Sequence, residues 1–332
     1  MTLPRDSFRA GIAHRGALKA DQRHQAAQIE VHFPEIRKLF QDPRAHQAVI
    51  RVVIHHFGPH GRKKLIVTLG RKTLEKAVRV ARTLNLIAGD GRTNVMHLNT
   101  LDYDRWEDVT KEEAWQDIYF EGWKGLRALR AKKGENRDFT FDIVMANPPF
   151  AGDIKESRII AKYELGKNAK GKYQSKVGRD ILFIERNLSF LKPGGRMAIV
   201  LPQGRFNNAS DKYIRDFIAE RCRILAVVGL HGNVFKPHTG TKTSVLFVQK
   251  WDEKLCPKKD DYPIFFATMQ KPSKDNSGDK IVCTDSEGHI ILDEHGHMIV
   301  DHDLYNHDGL TQDGIAETFA EFAKREGLSF FR

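Results

Sequence analysis

The sequence predicts an α/β protein built on a mostly parallel sheet with an antiparallel edge strand. From about residue 64, short apolar runs alternate with amphipathic segments, as expected for parallel strands joined by crossover helices. Two late apolar runs, ILAVVGL and TKTSVLFVQK, are joined by a link too short for a crossover helix, which favours an antiparallel pair at the sheet edge. A third observation is that the run FDIVMA stops at two prolines, which cannot donate ladder hydrogen bonds.

Each element follows from a local pattern. Strand character is expected, in chain order, in AVIRVVIHHF, KLIVTLG, NVMHLNTLDY, FDIVMA, RMAIVLP, ILAVVGL, TKTSVLFVQK and IFFATM. Helical periodicity is expected in ADQRHQAAQIEVHFPEIRKLF, TLEKAVRVARTLNLIAG, DILFIERNLSFLKPGG, DKYIRDFIAERC and IAETFAEFAKREG. The third of these helices is expected to end at Pro193, Gly194 and Gly195. HIILDEHGHMIVDHDL predicts short strands with turns, and no internal repeat is evident.

The chain divides into three predicted parts. Residues 1–63 form a basic segment that holds seven of the 15 histidines, residues 64–252 carry the regular α/β pattern, and residues 253–332 form an extension of short strands and one helix. A metal cluster in the first part is conceivable, but the histidine spacing fits no ligand template. No metal site is therefore predicted. A charged, Trp-bearing insertion is expected across about residues 104–138.

Composition limits the class of protein. The 332 residues are 40% hydrophobic and contain no apolar run of about 18 residues, so no membrane span is expected. The N-terminus shows no secretory signal core, and Cys222, Cys256 and Cys283 are too widely spaced for a disulfide framework or a zinc site. The expected location is the cytoplasm. Net charge is +11, which suits a polyanion such as nucleic acid or, alternatively, a generic basic surface.

The stretch Asn147-Pro148-Pro149-Phe150 carries the strongest functional signal. It follows FDIVMA at the carboxyl end of a predicted strand, where open α/β sheets bind ligands. With GRTNVMHLNTLDY before it, and LFIERNLSFLKPGGRMAIVLPQG and VFKPHTGTKTSVLFVQK after it, the motif resembles the catalytic loop of amino-group DNA methyltransferases, and its surroundings resemble the modification subunit of type I restriction systems. The resemblance covers about residues 70–270. Alternatively, the motif is a tight loop without a catalytic role, and its phenylalanine belongs to the hydrophobic core.

This resemblance implies a Rossmann-like class I methyltransferase sheet that methylates adenine in DNA and uses S-adenosylmethionine. The side-chain oxygen of Asn147 and the main-chain carbonyl of Pro148 would each accept a hydrogen of the target amine, and Pro149 would help to hold both acceptors rigid. Phe150 would stack on a base flipped out of the duplex. The family also implies double-stranded DNA and a separate specificity subunit as partners, with a restriction subunit as a further candidate.

A basic stretch follows the motif. Residues 155–179 contain eight Lys and Arg against two Glu, together with Tyr163 and Tyr173. We interpret it as a mobile loop that contacts DNA phosphates, with a solvated surface loop as the alternative. The candidate DNA contacts are Lys162, Lys167, Lys170, Lys172, Lys176 and Arg179.

The cofactor half of the motif set is incomplete. The family's first strand and its glycine-rich loop are missing or divergent, and FGPHG at residues 57–61 has the wrong glycine spacing. Gly70, at the end of KLIVTLG, remains a candidate cofactor contact, although Lys72 stands where the family has an acidic residue. Asp102 matches the family's acidic contact to the adenine amine, or it is an ordinary helix or turn cap.

Two explanations compete for this start: a reading frame truncated or shifted near residue 70, which the pattern-poor first segment favours, and a genuine divergent segment. Two further functions stay open. The chain could methylate a protein glutamine or a ribosomal RNA base, because related loops occur in such enzymes. It could also be a catalytically silent remnant that binds DNA or assembles with partner subunits.

Overall fold

The computed structural model describes residues 49–57 and 62–70 by their backbone, and residues 94–131, 140–150, 152–293 and 296–328. Several sequence-based predictions lie outside these ranges: the two helices expected near residues 20–40 and 73–89, most of FGPHG, and Lys72. Among the described residues, no helix is long and apolar enough to cross a membrane.

Eight strands form the main sheet, in the order β10-β8-β9-β7-β4-β2-β1-β3. Their bounds are β1 Val49–Phe57, β2 Arg62–Gly70, β3 Asn94–His97, β4 Phe141–Ala146, β7 Leu191–Pro202, β8 Cys222–Gly229, β9 Thr243–Lys250 and β10 Phe265–Thr268. The pairings give six strands one common direction, and β1 and β9 run against it. The predicted mostly parallel, Rossmann-like α/β class is confirmed.

The antiparallel strand is found at a different place from the predicted one. β9 pairs antiparallel with both β7 and β8, so it lies inside the sheet, and β10 forms the edge beyond β8. The short link after β8 correctly indicates an antiparallel pair. It does not indicate on which side of that pair a further strand adds, because this depends on the later strand β10.

β2 lies inside the sheet, third from the edge that β3 forms. It runs parallel to β4 in the register Lys64↔Ile143 to Val67↔Ala146, and β1 separates it from β3. In a doubly wound sheet the strand beside the fourth is the first, and the ligand crevice lies at that point. The place of the first strand, which the sequence analysis finds missing or divergent, is therefore filled by β2, the predicted strand KLIVTLG, and β1 adds to it in antiparallel direction.

Helices pack over this sheet. The described ones are α1 Trp106–Val109, α2 Glu113–Ala131, α3 Ser157–Ile160, α4 Arg179–Ser189, α5 Gly204–Asn207, α6 Lys212–Arg221 and α7 Ile315–Arg325. The predicted insertion is in fact largely the connection from β3 to β4, since α2 buries Trp115 and Trp123 in the core. α4 ends at Ser189 and β7 already starts at Leu191, so the Pro-Gly-Gly segment belongs to the strand, with Gly194 at φ +72°.

The stretch after the Asn-Pro-Pro-Phe motif is folded. A two-stranded ladder of β5 Asp153–Ile154 and β6 Val177–Gly178 closes its base. Ile160 and Leu165 are buried inside it, and Tyr163 donates a hydrogen bond from its hydroxyl to the Leu101 carbonyl at 2.9 Å. We call residues 153–178 the basic arm. The expectation of a mobile loop is corrected, because these side chains anchor the segment in the main hydrophobic core.

The C-terminal part contains a repeat that sequence analysis missed. Three turns of the form Asp-x-x-Gly start at Asp275, Asp285 and Asp293, and their glycines Gly278, Gly288 and Gly296 all have positive φ. In each turn the aspartate carboxylate accepts a backbone N–H further along the turn. The repeat unit is short and fixes only two residues, so it is hard to recognise before the turns are seen.

Candidate active site at the carboxyl edge of the sheet

The Asn147–Phe150 loop leaves β4 at the carboxyl edge of the sheet. Asn147 is exposed, Pro148 is buried, and Pro149 and Phe150 are half-buried. Among the described residues, none forms a hydrogen bond with the Asn147 side chain. The amide is therefore presented to solvent from a loop whose prolines restrict the backbone, as a preorganised acceptor requires.

Gly70 ends the neighbouring strand at the same edge. β2 continues for three residues beyond its last pair with β4, Val67↔Ala146, and ends at Gly70. The predicted cofactor residue and the predicted catalytic loop therefore follow neighbouring parallel strands at the same edge. A glycine there lets a ligand approach the backbone closely.

Phe235 packs against Phe150, and the sequence analysis did not predict it as a site residue. It lies in the loop between β8 and β9, and its ring meets that of Phe150 edge to face, with centroids 5.2 Å apart and an interplanar angle of 78°. The quoted stretch VFKPHTG contained it, but only the tertiary fold brings it to Phe150. Two aromatic rings therefore stand together at the end of the loop that carries the exposed amide of Asn147.

Asp102 follows β3 at the far end of the same edge, and its carboxylate is buried. Arg158 donates to both oxygens, at 2.6 and 2.7 Å, and the Lys162 ammonium donates to Oδ1 at 3.0 Å. The Arg158 hydrogen bonds lower the pKa of Asp102, against the opposing effect of burial, and Lys162 lowers it further. The carboxylate is charged at neutral pH and ties β3 to the basic arm.

These contacts bear on both interpretations of Asp102. Its side chain makes no capping hydrogen bond to the short helical turn Tyr103–Arg105 that it precedes, so it is not a cap. Three donors use three of the roughly four lone-pair positions of a carboxylate, which leaves about one for a further donor such as an adenine amine. Two features of this edge thus fit the cofactor: the remaining acceptor position on Asp102 and the glycine, Gly70, at the end of β2.

The candidate DNA-binding residues fall into separate environments. Lys162 is mostly buried and paired with Asp102 and Asp104, so its charge is neutralised inside the protein and we leave it out of the DNA contacts proposed below. Lys167 lies over the Tyr173 ring, with its ammonium 5.1 Å from the centroid. Arg179 stands at the start of α4, packed against Gly152.

Among the candidate lysines, Lys170, Lys172 and Lys176 are exposed on the basic arm. Lys170 and Lys172 flank Gly171 in a tight turn, which the Asn168 side chain holds by accepting both lysine backbone N–H groups, at 2.9 and 3.2 Å. Lys176 is also exposed and has only a loose contact of 3.7 Å with Asp153. This turn fixes Lys170 and Lys172 on the surface.

Arg205 is a second residue that sequence reasoning missed. It follows β7 and donates to both oxygens of the buried Asp180, at 2.7 and 3.1 Å, and to Asp211 at 2.9 Å. Burial alone would lower its pKa, but the two carboxylates raise the pKa instead. The network joins the loop after β7 to the start of α4 and so to the base of the basic arm.

The described residues contain no candidate metal site, because no group of three or more His, Cys, Asp or Glu side chains among them is placed to hold an ion. Most of the histidines of the first segment lie outside that part of the chain.

Comparisons with known proteins point in one direction. A family model described as N-6 DNA methylase matches residues 38–308. The methylase subunit of the type I restriction enzyme EcoEI from Escherichia coli is 32% identical over 114 residues, which are 34% of this chain and 22% of that protein. The type II restriction enzyme and methyltransferase RM.Eco57I from Escherichia coli is 30% identical over 117 residues, 34% of this chain and 11% of that protein.

Among solved structures, a methyltransferase subunit of a type I restriction-modification system from Streptococcus thermophilus is 24% identical. The match covers 41% of this chain and 31% of that one, at a TM-score of 0.30, which is too low to assign residue roles. The chain matches about a fifth of the length of the first curated relative and about a tenth of the second.

Proposed function

Because the chain belongs to the N-6 DNA methylase family, we propose that it is the modification subunit of a type I restriction-modification system. It would transfer a methyl group from S-adenosylmethionine to the exocyclic amine of an adenine flipped out of double-stranded DNA. The observation that carries this proposal is the exposed Asn147 amide on its proline-held loop, with Phe150 and Phe235 beside it. The family match does not favour protein glutamine, ribosomal RNA or a silent remnant.

The chemistry requires two hydrogen-bond acceptors near the target nitrogen. The lone pair of an adenine amine is conjugated into the ring, so the free amine is a poor nucleophile. The Asn147 side-chain oxygen and the Pro148 carbonyl would each accept one amine hydrogen, which turns the nitrogen towards tetrahedral geometry and stabilises the positive charge that it gains. Held in this way, the nitrogen would accept the methyl group as its bond to the donor sulfur breaks, and would afterwards lose a proton to water.

S-adenosylmethionine, when bound, supplies a methyl group on a positively charged sulfur. Gly70 would line its binding place through the backbone, and Asp102 would accept the adenine amine of the cofactor through its remaining acceptor position. β3, which precedes Asp102 in the chain, lies three strand spacings from β4, or about 14 Å, so the cofactor would lie along the carboxyl edge of the sheet.

Phe150 and Phe235 would form the walls of the target pocket. A flipped base loses its stacking in the duplex, and an aromatic wall restores about 1–3 kcal/mol of it. Lys170, Lys172, Lys176, Lys167 and Arg179 would contact DNA phosphates, which give affinity and register without sequence information. Sequence recognition would then depend on a specificity subunit, with a restriction subunit as a further candidate partner. The cytoplasm is the location that a DNA substrate favours.

The first experiment is calorimetric titration of the purified chain with S-adenosylmethionine, followed by transfer of labelled methyl groups to DNA. We expect micromolar binding of the cofactor and label on the adenine amine of DNA, with the specificity subunit added for full rates. A folded chain that neither binds the cofactor nor labels DNA with that subunit present would refute the proposed function. Label on protein or ribosomal RNA instead would favour the alternative substrates.

A further inference from the structure

The loop that carries Phe235 is held from outside by the first Asp-x-x-Gly hairpin. The loop comprises residues 231–242, and the hairpin comprises residues 273–281, closed by a hydrogen bond from the Ile281 N–H to the Ser273 carbonyl at 3.1 Å. The two segments are far apart in sequence. Their contact is therefore a product of tertiary structure alone.

Four hydrogen bonds connect the two segments on both sides of Phe235, and the longest of them runs from the Asn233 amide to the Asn276 side-chain oxygen at 3.4 Å. The Asn233 amide donates to the Lys274 carbonyl at 3.1 Å, and the Lys274 ammonium donates to the Lys236 carbonyl at 2.9 Å. The Lys236 ammonium in turn donates to the Asn276 side-chain oxygen at 3.2 Å. Residues 233 and 236 bracket Phe235, so these bonds restrict the part of the loop that places its ring.

The hairpin also packs closely against the loop at Gly278, which lies beside Pro237. A Cβ atom on Gly278 would lie 2.6 Å from both the ring Cδ and the nitrogen of Pro237, a distance that real Cβ contacts do not reach. The turn around it is well ordered, because the Asp275 carboxylate accepts the backbone N–H groups of Ser277, Gly278 and Asp279, at 2.8, 2.8 and 2.9 Å. The hairpin thus supports the loop with a rigid surface.

We propose that the 273–281 hairpin is a positioning element of the target-base pocket, and that Gly278, Lys274 and Asn276 are its positioning residues. They act through the 231–242 loop, which holds Phe235 against Phe150 at 5.2 Å. The role in base binding rests on the function proposed above. The dependence of the loop on the hairpin follows from the contacts alone.

The repeat provides matched controls. Gly288, in the second turn, has φ +87° compared with +98° for Gly278, but a Cβ there would meet nothing within 4 Å. Alanine therefore strains both turns alike and collides with the Phe235 loop only in Gly278→Ala. Should Gly278→Ala fail to fold, Asn276→Ala removes the acceptor for Lys236 without backbone strain, and Ser286→Ala is the corresponding change in the second turn.

The test measures two quantities on the full chain. Hydrogen exchange of residues 231–242, followed by mass spectrometry, is expected to be faster in Gly278→Ala and Asn276→Ala and unchanged in Gly288→Ala and Ser286→Ala. Methylation of DNA, assayed with the specificity subunit, is expected to lose about tenfold in kcat/KM for DNA in the first pair only, as for a weakened base-stacking contact. The KM for S-adenosylmethionine is expected to stay unchanged.

Equal exchange in all four variants would overturn the proposal whatever the methylation result. Faster exchange with undiminished kcat/KM for DNA would also overturn it, because the loop would then not form part of the pocket. A wild-type chain that methylates no DNA contradicts the proposed function instead. In that case exchange alone decides whether the hairpin positions the loop, with the same expected and contrary results.

Discussion

The two halves of the carboxyl edge of the sheet differ in how their polar groups are engaged. At β4, Asn147 is exposed, and the loop that carries it ends in Phe150, whose ring packs against that of Phe235. At β3, Asp102 is buried and accepts hydrogen bonds from Arg158 and Lys162. The first half is arranged to receive a group from outside, whereas the second already stabilises the protein with its carboxylate. Its acidic residue therefore combines a structural role with any role in cofactor binding.

The largest effect is expected in the half of the edge at β4, where Asn147 is exposed. Asn147→Ala removes one of two acceptors for the target amine and should lower kcat for DNA methylation by about 10²–10³-fold, as for loss of one preorganised hydrogen-bonding group. The melting temperature should hardly change, because the side chain is exposed. Asn207→Ala, at an exposed asparagine of α5, is the control. Near-normal turnover in Asn147→Ala would exclude this mechanism.

The next largest effect is expected when the exposed lysines of the basic arm are neutralised. In the triple variant with Lys170, Lys172 and Lys176 replaced by Gln, the slope of log affinity against log salt should fall by about 0.9 for each phosphate that the arm no longer neutralises, which weakens DNA binding roughly 10²-fold at 0.1 M salt. Lys254, Lys258 and Lys259, exposed elsewhere, provide a control triple. The same slope in wild type and arm variant, from binding titrations at several salt concentrations, would move the DNA contact to another surface.

Removing the second aromatic wall should have a smaller effect. Phe235→Leu keeps apolar volume but loses the aromatic face, and we expect about a tenfold loss of kcat/KM for DNA with little change in KM for the cofactor. Phe266→Leu, on the exposed edge strand β10, is a suitable control because 70% of that side chain is exposed. Steady-state kinetics with varied DNA would measure this, and equal losses in both variants would argue against a pocket role.

In the half of the edge at β3, where Asp102 is buried, we expect an effect on stability. Asp102→Asn leaves Arg158 and Lys162 without a buried carboxylate and should lower the free energy of unfolding by about 1.5–3 kcal/mol, the range for hydrogen bonds to charged groups. Asp104→Asn removes only an exposed partner of Lys162 and should lower it by less than about 1 kcal/mol. Urea unfolding at pH 7 would compare the two variants. Equal stabilities would mean that the Asp102 network contributes nothing.

The smallest effect is the pH dependence of this same difference. The pKa of Asp102 is lowered in the folded state, mainly by the hydrogen bonds from Arg158. Its stabilising contribution is therefore complete above the unfolded-state pKa of about 3.9 and is lost as the pH falls through the folded-state pKa. The stability gap between wild type and Asp102→Asn should shrink below about pH 4. A gap that widens in acid would contradict the sign of the shift.

Local patterns in the sequence determined much of this protein. The Asn-Pro-Pro-Phe loop and its place after β4 follow from the proline chemistry and the apolar run before it. Most described strands and helices follow from hydrophobic period and turn residues. These features depend on neighbours a few positions away, so one segment of sequence is enough to predict them.

Only tertiary structure decided the rest. The place of β2 beside β4 and the interior place of β9 depend on which strands pair, and strand pairing is a long-range choice between similar apolar edges. The pairing of Asp102 with Arg158, the approach of Phe235 to Phe150 and the support of its loop by Gly278 join residues that are distant in sequence. No local pattern encodes such contacts, because each of them forms only after the whole sheet has brought separate loops to one place.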